Sequence, residues 1–173
     1  MGTLSIPLWT RKRSEYTALI DEEDAEIVLQ YRWHPKQSLN TQYATTQTHG
    51  RHVRLHRLIM GEPIGIFVDH INGDGLDCRR INLRLANHSQ NHMNRQADSR
   101  NKSGFKGVNK SPKANRWYAF ITKPGERKSS YIGCFKSAEE AAHAYDEAAR
   151  IFHGKFACVN FPREGERGAR KDV

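Results

Sequence analysis

The chain has 173 residues, room for two small domains but not for one large buried core. Lysine and arginine number 28 against 19 acidic residues, and the net charge of +9 with a pI near 9.7 favours a polyanionic partner held with salt-sensitive affinity. A mean hydropathy of -0.79 with no long apolar run or basic amphipathic helix excludes a membrane surface, and the 3 cysteines, odd in number and without paired spacing, exclude a disulfide framework and give no reason to expect a structural zinc. The N-terminus shows no secretory pattern, so a cytoplasmic setting is expected.

In chain order, residues 16–20 read as a strand, 22–30 as a short acidic helix, and 32–34 with 42–46 as a further strand pair. This part reads as a small sheet supporting the segment C-terminal to it. Arg11, Lys12 and Arg13 are either a contact for the polyanion or a solvated charge cluster. His34, His49 and His52 carry no pattern. Leu55-His56-Arg57-Leu58-Ile59-Met60 reads as a short helix on which His56 packs or faces the partner.

The next segment carries chemistry. Ile66-Phe67-Val68 is an apolar strand that delivers Asp69 and His70 at its exit. Adjacent strand residues point to opposite faces, so the turn-forming run Ile71-Asn72-Gly73-Asp74-Gly75 is expected to bend them together. Asn72 and Asp74 read as turn residues, with a reach to a metal as the alternative for Asp74. A second strand from Ile81 to Leu85 alternates apolar Ile81, Leu83 and Leu85 with Asn82 and Arg84. A helix comes next, with Asn87 as N-cap and Gln90 completing an approximate capping box, which puts Asn91 in its second turn. Asp69 is a hard ligand for Mg²⁺, which needs only one or two protein carboxylate or amide oxygens. His70, with an ordinary pKa of about 6.5, suits a general base that deprotonates an attacking water. His88 and His92, at i and i+4 on that helix, are alternative ligands in place of Asn91.

Val68-Asp69-His70-Ile71-Asn72-Gly73-Asp74, with Asn82-Leu83-Arg84-Leu85 and Asn91, resembles the HNH endonuclease motif in its phage-type homing branch. The resemblance spans roughly residues 53–95 and includes the short helix over 55–60, with Ile6-Pro7-Leu8 and Tyr31-Arg32-Trp33 similar to the leader of that branch. It implies a ββα-metal unit in which Asp69 and Asn91 hold one divalent metal ion, Mg²⁺ or Mn²⁺. His70 is then the general base, Asn82 braces the loop, and hydrolysis leaves a 5′-phosphate and a 3′-hydroxyl. Asn rather than His at position 91 leaves the metal preference open.

From Gly104 to Lys136 the chain holds Lys106, Lys110, Lys113, Arg116, Lys123, Arg127, Lys128 and Lys136 against Glu126 alone. Residues 103–108, 116–121 and 130–135 read as three antiparallel strands. Residues 137–150 read as a helix with Ser137 as N-cap and Glu140 closing the capping box. Ala141, Ala142, Tyr145, Ala148 and Ala149 share one face, small enough for the helix to sit close to the sheet. Alternation predicts Trp117, Ala119 and Ile121 toward the helix and Tyr118, Phe120 and Thr122 on an open, basic face suited to the major groove. Cys78, Cys134 and Cys158 read as buried or incidental thiols.

Phe105-Lys106-Gly107-Val108, Trp117, Tyr131-Ile132-Gly133-Cys134-Phe135, residues 138–149 and Asn160-Phe161-Pro162 resemble the APETALA2/ethylene-response-factor DNA-binding domain across 103–162. That resemblance puts DNA-facing side chains at Lys106, Asn109, Tyr118, Phe120, Thr122 and Tyr131. Lys110, Arg116 and Lys128 join them as phosphate contacts on the basic sheet. Several of these are Arg, Glu or Trp in the plant proteins, so their base preference does not transfer.

The expectation is an α+β protein: an N-terminal sheet and HNH unit over 1–95, a linker over 96–102, a three-stranded antiparallel sheet packed on one helix over 103–162, and a disordered tail over 163–173. Its expected function is metal-dependent hydrolysis of double-stranded DNA by a monomer of phage or mobile-element origin, acting in a bacterial host without an obligate protein partner. The competing expectation is a DNA-binding or regulatory protein whose HNH unit no longer cuts.

Overall fold

The structure is a computed structural model that describes residues 2–10, 16–38, 41–48, 50–97 and 101–169. The cluster at Arg11, Lys12 and Arg13, His49, part of the expected linker and the chain from Arg170 onward lie outside the described residues. The fold is α+β, in two compact units, Met1–Asn87 and His88–Val173.

In the first unit β1 (Thr3–Pro7) pairs antiparallel with β2 (Thr17–Asp21). The acidic run after β2 splits into a 3-10 turn at Glu22–Asp24 and a single-turn helix α1 (Ala25–Val28), shorter than the predicted 22–30. β3 (His34–Gln37), β4 (Gln42–Thr48) and β5 (Arg51–Arg54) form a three-stranded antiparallel sheet. α2 (Leu55–Ile59) comes directly after β5, buries Leu55, His56 and Ile59, and leads to β6 (Phe67–His70). A 3-10 turn at Arg80–Asn82 then enters β7 (Leu83–Ala86), which pairs antiparallel with β6. The core joins Ile6, Ala18, Ile20, Val28, Trp33, Ala44, Leu55, Ile59, Val68 and Leu83.

Two features hold the loop between β6 and β7 against the N-terminal sheet. Leu19 on β2 donates its N–H to Leu76 O and accepts from Cys78 N, each at 2.8 Å. Arg80 donates to both Asp24 carboxylate oxygens, at 2.6 and 3.1 Å, while its backbone N–H donates to Asp21 Oδ2 at 2.7 Å. The acidic segment after β2 is thus the counter-charge of Arg80, and burial of Asp24 is compensated by a bidentate partner.

The phase of β7 differs from the alternation read over 81–85. Ile81 is 83% exposed and Leu85 48% exposed, whereas Asn82 is buried. The 3-10 turn that precedes the strand rotates Asn82 inward, because its amide has hydrogen-bond partners there that apolar Ile81 cannot use.

In the second unit α3 (His88–Met93) precedes β8 (Val108–Lys110), β9 (Trp117–Ile121) and β10 (Ser130–Phe135), an antiparallel sheet in the order β10-β9-β8. The first of these strands starts at Val108 rather than at the predicted 103. Asn101 and Ser103 side chains bond the local backbone and hold residues 101–105 in a turn. Gly107, with φ of +74°, then lies where a Cβ would meet the Tyr145 ring at 2.0 Å and Phe120 O at 2.8 Å. Only glycine fits there.

α4 (Ala138–His153) packs on the sheet through Ala138, Ala141, Ala142, Tyr145 and Ala149. Its N-terminus is capped as the sequence predicts: Ser137 Oγ accepts from Glu140 N at 3.1 Å, and Glu140 Oε2 accepts from Lys136 N at 3.0 Å. The buried carboxylate of Asp146 accepts from Asn160 N, Asn160 Nδ2 and Phe161 N, while Asn160 Oδ1 accepts from Lys106 N. Asp146 and Asn160 therefore tie α4, β8's approach and the chain exit together.

The segment after Pro162, predicted as a disordered tail, is ordered through Ala169. β11 (Cys158–Val159) pairs parallel with β12 (Arg167–Gly168), and Ala169 is buried. Arg150 holds it, donating from Nε and Nη2 to the Glu166 carboxylate at 2.8 Å each.

Candidate active site and nucleic-acid interface

Asp69 and His70 both lie within β6, and the turn expected over 71–75 to bring them together follows them without doing so. Their side chains meet different neighbours. Asp69, directly across from Arg84 on β7, accepts from Arg84 Nε at 2.9 Å and Nη2 at 2.8 Å, both at Oδ2. The pair is nearly buried, at 9% and 11% side-chain exposure. His70 instead faces His56 of α2 at 4.6 Å between ring centroids and Tyr43 of β4 at 5.8 Å, with Nε2 3.9 Å from Cys78 Sγ.

The loop after β6 is built around Asn82. Its Nδ2 donates to Asp77 O at 2.7 Å and to Asn72 Oδ1 at 2.9 Å, and its Oδ1 accepts from Asn72 N at 2.9 Å. Asn72 Nδ2 donates to Asp77 Oδ2, and Arg79 clamps the same carboxylate with two bonds of 2.7 Å. The Arg79 hydrogen bond, stronger than the opposing effect of burial, holds the Asp77 pKa below the usual carboxylate range. Asp74 is a turn residue, accepting from Leu76 N at 2.9 Å. Gly75 is required by close approach, since a Cβ there would meet Gln42 O at 2.2 Å. The network fixes Cys78 and Asp77 behind His70.

Burial governs the electrostatics of the two histidines. It lowers the His70 pKa from 6.5 to about 4, against a smaller opposing pull from Asp77. Burial, together with neighbouring His70, Arg54 and Arg57, lowers that of His56 to about 2. Both imidazoles are neutral at physiological pH, the state in which His70 can accept a proton. Burial also pushes the Cys78 thiol well above the usual range.

In the second unit α3 carries half-buried Asn91 beside exposed His88 and His92. The open face of the sheet carries Tyr118, Phe120 and Tyr131, whose rings sit 5.7 to 6.4 Å apart in edge-to-face contact. Asn109 lies opposite Tyr118, and Tyr131 opposite Phe120, so all four share that face. Lys110, whose ammonium is 5.6 Å from the Trp117 ring, is exposed, as are Arg116 and Lys128. Thr122 comes just after β9 and its hydroxyl bonds Ser129 Oγ. Trp117, Ala119 and Ile121 pack against α4 as alternation predicts.

Lys106 departs from the predicted set. Its ammonium donates to Met93 O at 2.5 Å and Arg95 O at 2.6 Å, carbonyls at and just beyond the C-terminus of α3. Desolvation there lowers its pKa to about 8. A cation on the last carbonyls of a helix is well placed, and this lysine therefore serves α3 rather than a DNA-facing surface.

Residues 49–93 match the HNH endonuclease family. An uncharacterized HNH endonuclease of Acanthamoeba polyphaga mimivirus is 31% identical over 149 residues, covering 83% of this chain and 74% of that protein. The chain belongs to the HNH endonuclease family. Protein 3.8 of Escherichia phage T7 is 32% identical to this HNH family member over 111 residues, 62% of this chain and 87% of that one. An ethylene-responsive transcription factor of Medicago truncatula is 34% identical over 83 residues, 48% of this chain and 31% of that protein. The chain thus spans about a third of that plant relative's length, and less of the other plant proteins it matches.

Within this HNH family member, sequence reasoning singled out Asp69, His70 and Asn82 as candidates and missed the partners that surround them in the structure. Arg84 was legible only as the polar residue of an alternating strand. Its register opposite Asp69 is what turns it into that carboxylate's counter-ion. Cys78 and His56 carry no spacing signal, because their approach to His70 is made by α2 and by the bridge from β2.

Proposed function

We propose that the chain is a divalent-metal-dependent DNA endonuclease of homing type, hydrolysing phosphodiester bonds, with the β8-β9-β10 sheet as its DNA-gripping face. The observation that carries the reading is a buried, neutral His70 next to Asp69 on one strand, with Asn82 bracing the adjoining loop, in a chain of the HNH family. The donor chemistry fits a hard ion: the Asp69 carboxylate, and separately the amide oxygen type that the family resemblance assigns to Asn91, suit Mg²⁺ or Mn²⁺ better than a soft metal. Such an ion, when bound, would stabilise charge on the phosphate and the leaving oxygen.

The remaining work belongs to the chain's own side chains. His70 takes the proton of the attacking water through the one in-plane lone pair of its neutral imidazole. Arg84 holds the Asp69 carboxylate in place through two hydrogen bonds to Oδ2. Asn82 prevents the loop from drifting. On the sheet, Lys110, Arg116 and Lys128 take phosphates, while Asn109, Tyr118, Phe120, Thr122 and Tyr131 face the base edges. One chain carrying both parts raises the local concentration of the catalytic residues at a bound site. Relatives in a phage and a virus support a mobile-element role, in which the protein acts as a monomer in the cytoplasm of a host cell.

A second reading, a DNA-binding protein that does not cut, is favoured by one observation: Arg84 already neutralises Asp69. Supercoiled plasmid incubated with Mg²⁺, Mn²⁺ or EDTA separates the two. Metal-dependent conversion to open-circle or linear DNA, lost in His70→Ala while gel retardation persists, is the expected result. Retardation without conversion under every metal refutes the nuclease.

A further inference from the structure

Behind β6, on the side away from Asp69 and Arg84, three softer donors converge. His56 from α2, His70 from β6 and Cys78 from the loop before β7 place their ligand atoms within 4.8 Å of one another. Cys78 Sγ lies 3.9 Å from His70 Nε2, and all three residues are buried, at 0 to 4% exposure. His56 Nδ1 is buried with no hydrogen-bond partner. That atom is the second, independent sign, since buried polar nitrogens are satisfied in most folded proteins and an apolar side chain would fill the same space without the desolvation cost.

We propose that His56, His70 and Cys78 form a binding site for a thiophilic divalent ion of the Zn²⁺ class, separate from the oxygen donors assigned to the hydrolytic metal, and that its occupation switches the nuclease off by sequestering His70. The inhibitory half rests on His70 being the base that activates water. The binding half does not.

Donor chemistry selects the ion. Two imidazole nitrogens and a thiolate are ligands for Zn²⁺, Co²⁺ and similar borderline ions, whereas Mg²⁺ takes oxygen. Bond lengths to zinc near 2.1 Å for nitrogen and 2.3 Å for sulfur imply tetrahedral ligand separations of roughly 3.4 to 3.6 Å. From separations of 3.9 Å for the Cys78–His70 pair and at most 4.8 Å for the others, the trio needs to close by no more than about 1.4 Å. Binding displaces the thiol proton to solvent, forms one metal–sulfur and two metal–nitrogen bonds, and leaves a fourth position for water or a small anion. The Cys78 backbone N–H bond to Leu19 O and the Asn82 network keep the sulfur in place in the absence of an ion. Because the trio uses the lone pair that general-base catalysis needs, one side chain cannot serve both at once.

The test uses the full chain titrated with Co²⁺. One equivalent should produce a thiolate-to-cobalt charge-transfer band with tetrahedral ligand-field intensity, displaced by Zn²⁺. The band should vanish in Cys78→Ser and survive in a Cys134→Ser/Cys158→Ser double variant, in which Cys78 is the sole thiol. In Mg²⁺-supported plasmid cleavage, the Zn²⁺ concentration giving half inhibition should rise at least tenfold in Cys78→Ser. Absence of the band in wild type, or its loss from the double variant once circular dichroism shows that variant folded, overturns the site. Equal Zn²⁺ sensitivity of wild type and Cys78→Ser overturns the switch. If the protein cuts no DNA under any metal, the nuclease reading fails while the cobalt spectrum still decides the site.

Discussion

Acidification should destabilise the first unit well before its carboxylates titrate. His70 and His56 move from 6.5 to about 4 and about 2 on folding, chiefly through burial. Each therefore binds a proton more weakly folded than unfolded. Between roughly pH 6.5 and 4 the unfolded chain takes up protons that the folded chain refuses, so stability is full above the unfolded pKa and falls as pH drops through this window. At about 1.4 kcal/mol per pH unit, moving from pH 7.5 to pH 5 removes about 2 kcal/mol per imidazole, or about 4 kcal/mol together. That is a large share of the roughly 5 to 15 kcal/mol that holds a domain folded. The assay is urea unfolding at the two pH values in a Trp117→Phe background, where the core residue Trp33 reports the first unit. His56→Gln/His70→Gln should lose most of the pH dependence whatever its stability at pH 7.5. A midpoint that does not move between pH 7.5 and 5, or that moves equally in the double variant, refutes the assignment of the effect to these histidines.

Two other perturbations probe named contacts. Asn82→Ala removes three hydrogen bonds, one buried and two partly buried, and leaves Asn72 N and Asp77 O without that partner; the expected loss is about 3 kcal/mol, read by urea unfolding at pH 7.5, and a change under about 1 kcal/mol would show that the loop does not depend on it. Lys106→Met keeps the aliphatic stem but removes the cation from Met93 O and Arg95 O. It should lower the melting temperature and leave the salt dependence of DNA affinity unchanged, whereas Lys128→Ala should reduce that slope by about 0.9. An equal reduction of the slope by both substitutions would return Lys106 to the DNA face.

The elements that short-range physics controls were legible in the chain. α4 combines a Ser137/Glu140 cap with an alanine face, and β9 alternates strictly, so both could be read from spacing alone. β5 was not legible. Arg51, His52, Val53 and Arg54 offer one half-buried apolar residue, and the strand exists because β4 offers an edge with which to pair. The tail was also hidden, since its order depends on the bidentate Arg150–Glu166 pair and on a parallel bridge to β11. Those contacts cross sixteen and nine residues, and neither leaves a periodic trace in the sequence.

For the candidate site, spacing singled out Asp69, His70 and Asn82 and could not say what surrounds them. Asp69 and His70 are neighbours in the chain, and strand geometry sends them to different partners, a charged one and an apolar, aromatic one. The contrast has a functional consequence. On Asp69's side a nearly buried carboxylate is paired with the Arg84 guanidinium, and its oxygens suit hard-ion chemistry. On His70's side burial keeps an imidazole neutral and gathers nitrogen and sulfur around it, which suits proton transfer and, by the same lone pair, capture by a softer ion. A surface His-Asp pair would do neither selectively, because water would screen the carboxylate and leave the imidazole near its ordinary pKa. The two small N-terminal sheets thus shape reactivity: through Leu19 the β1-β2 pair positions Cys78, and through Tyr43 the β3-β4-β5 sheet closes the aromatic wall that dries His70.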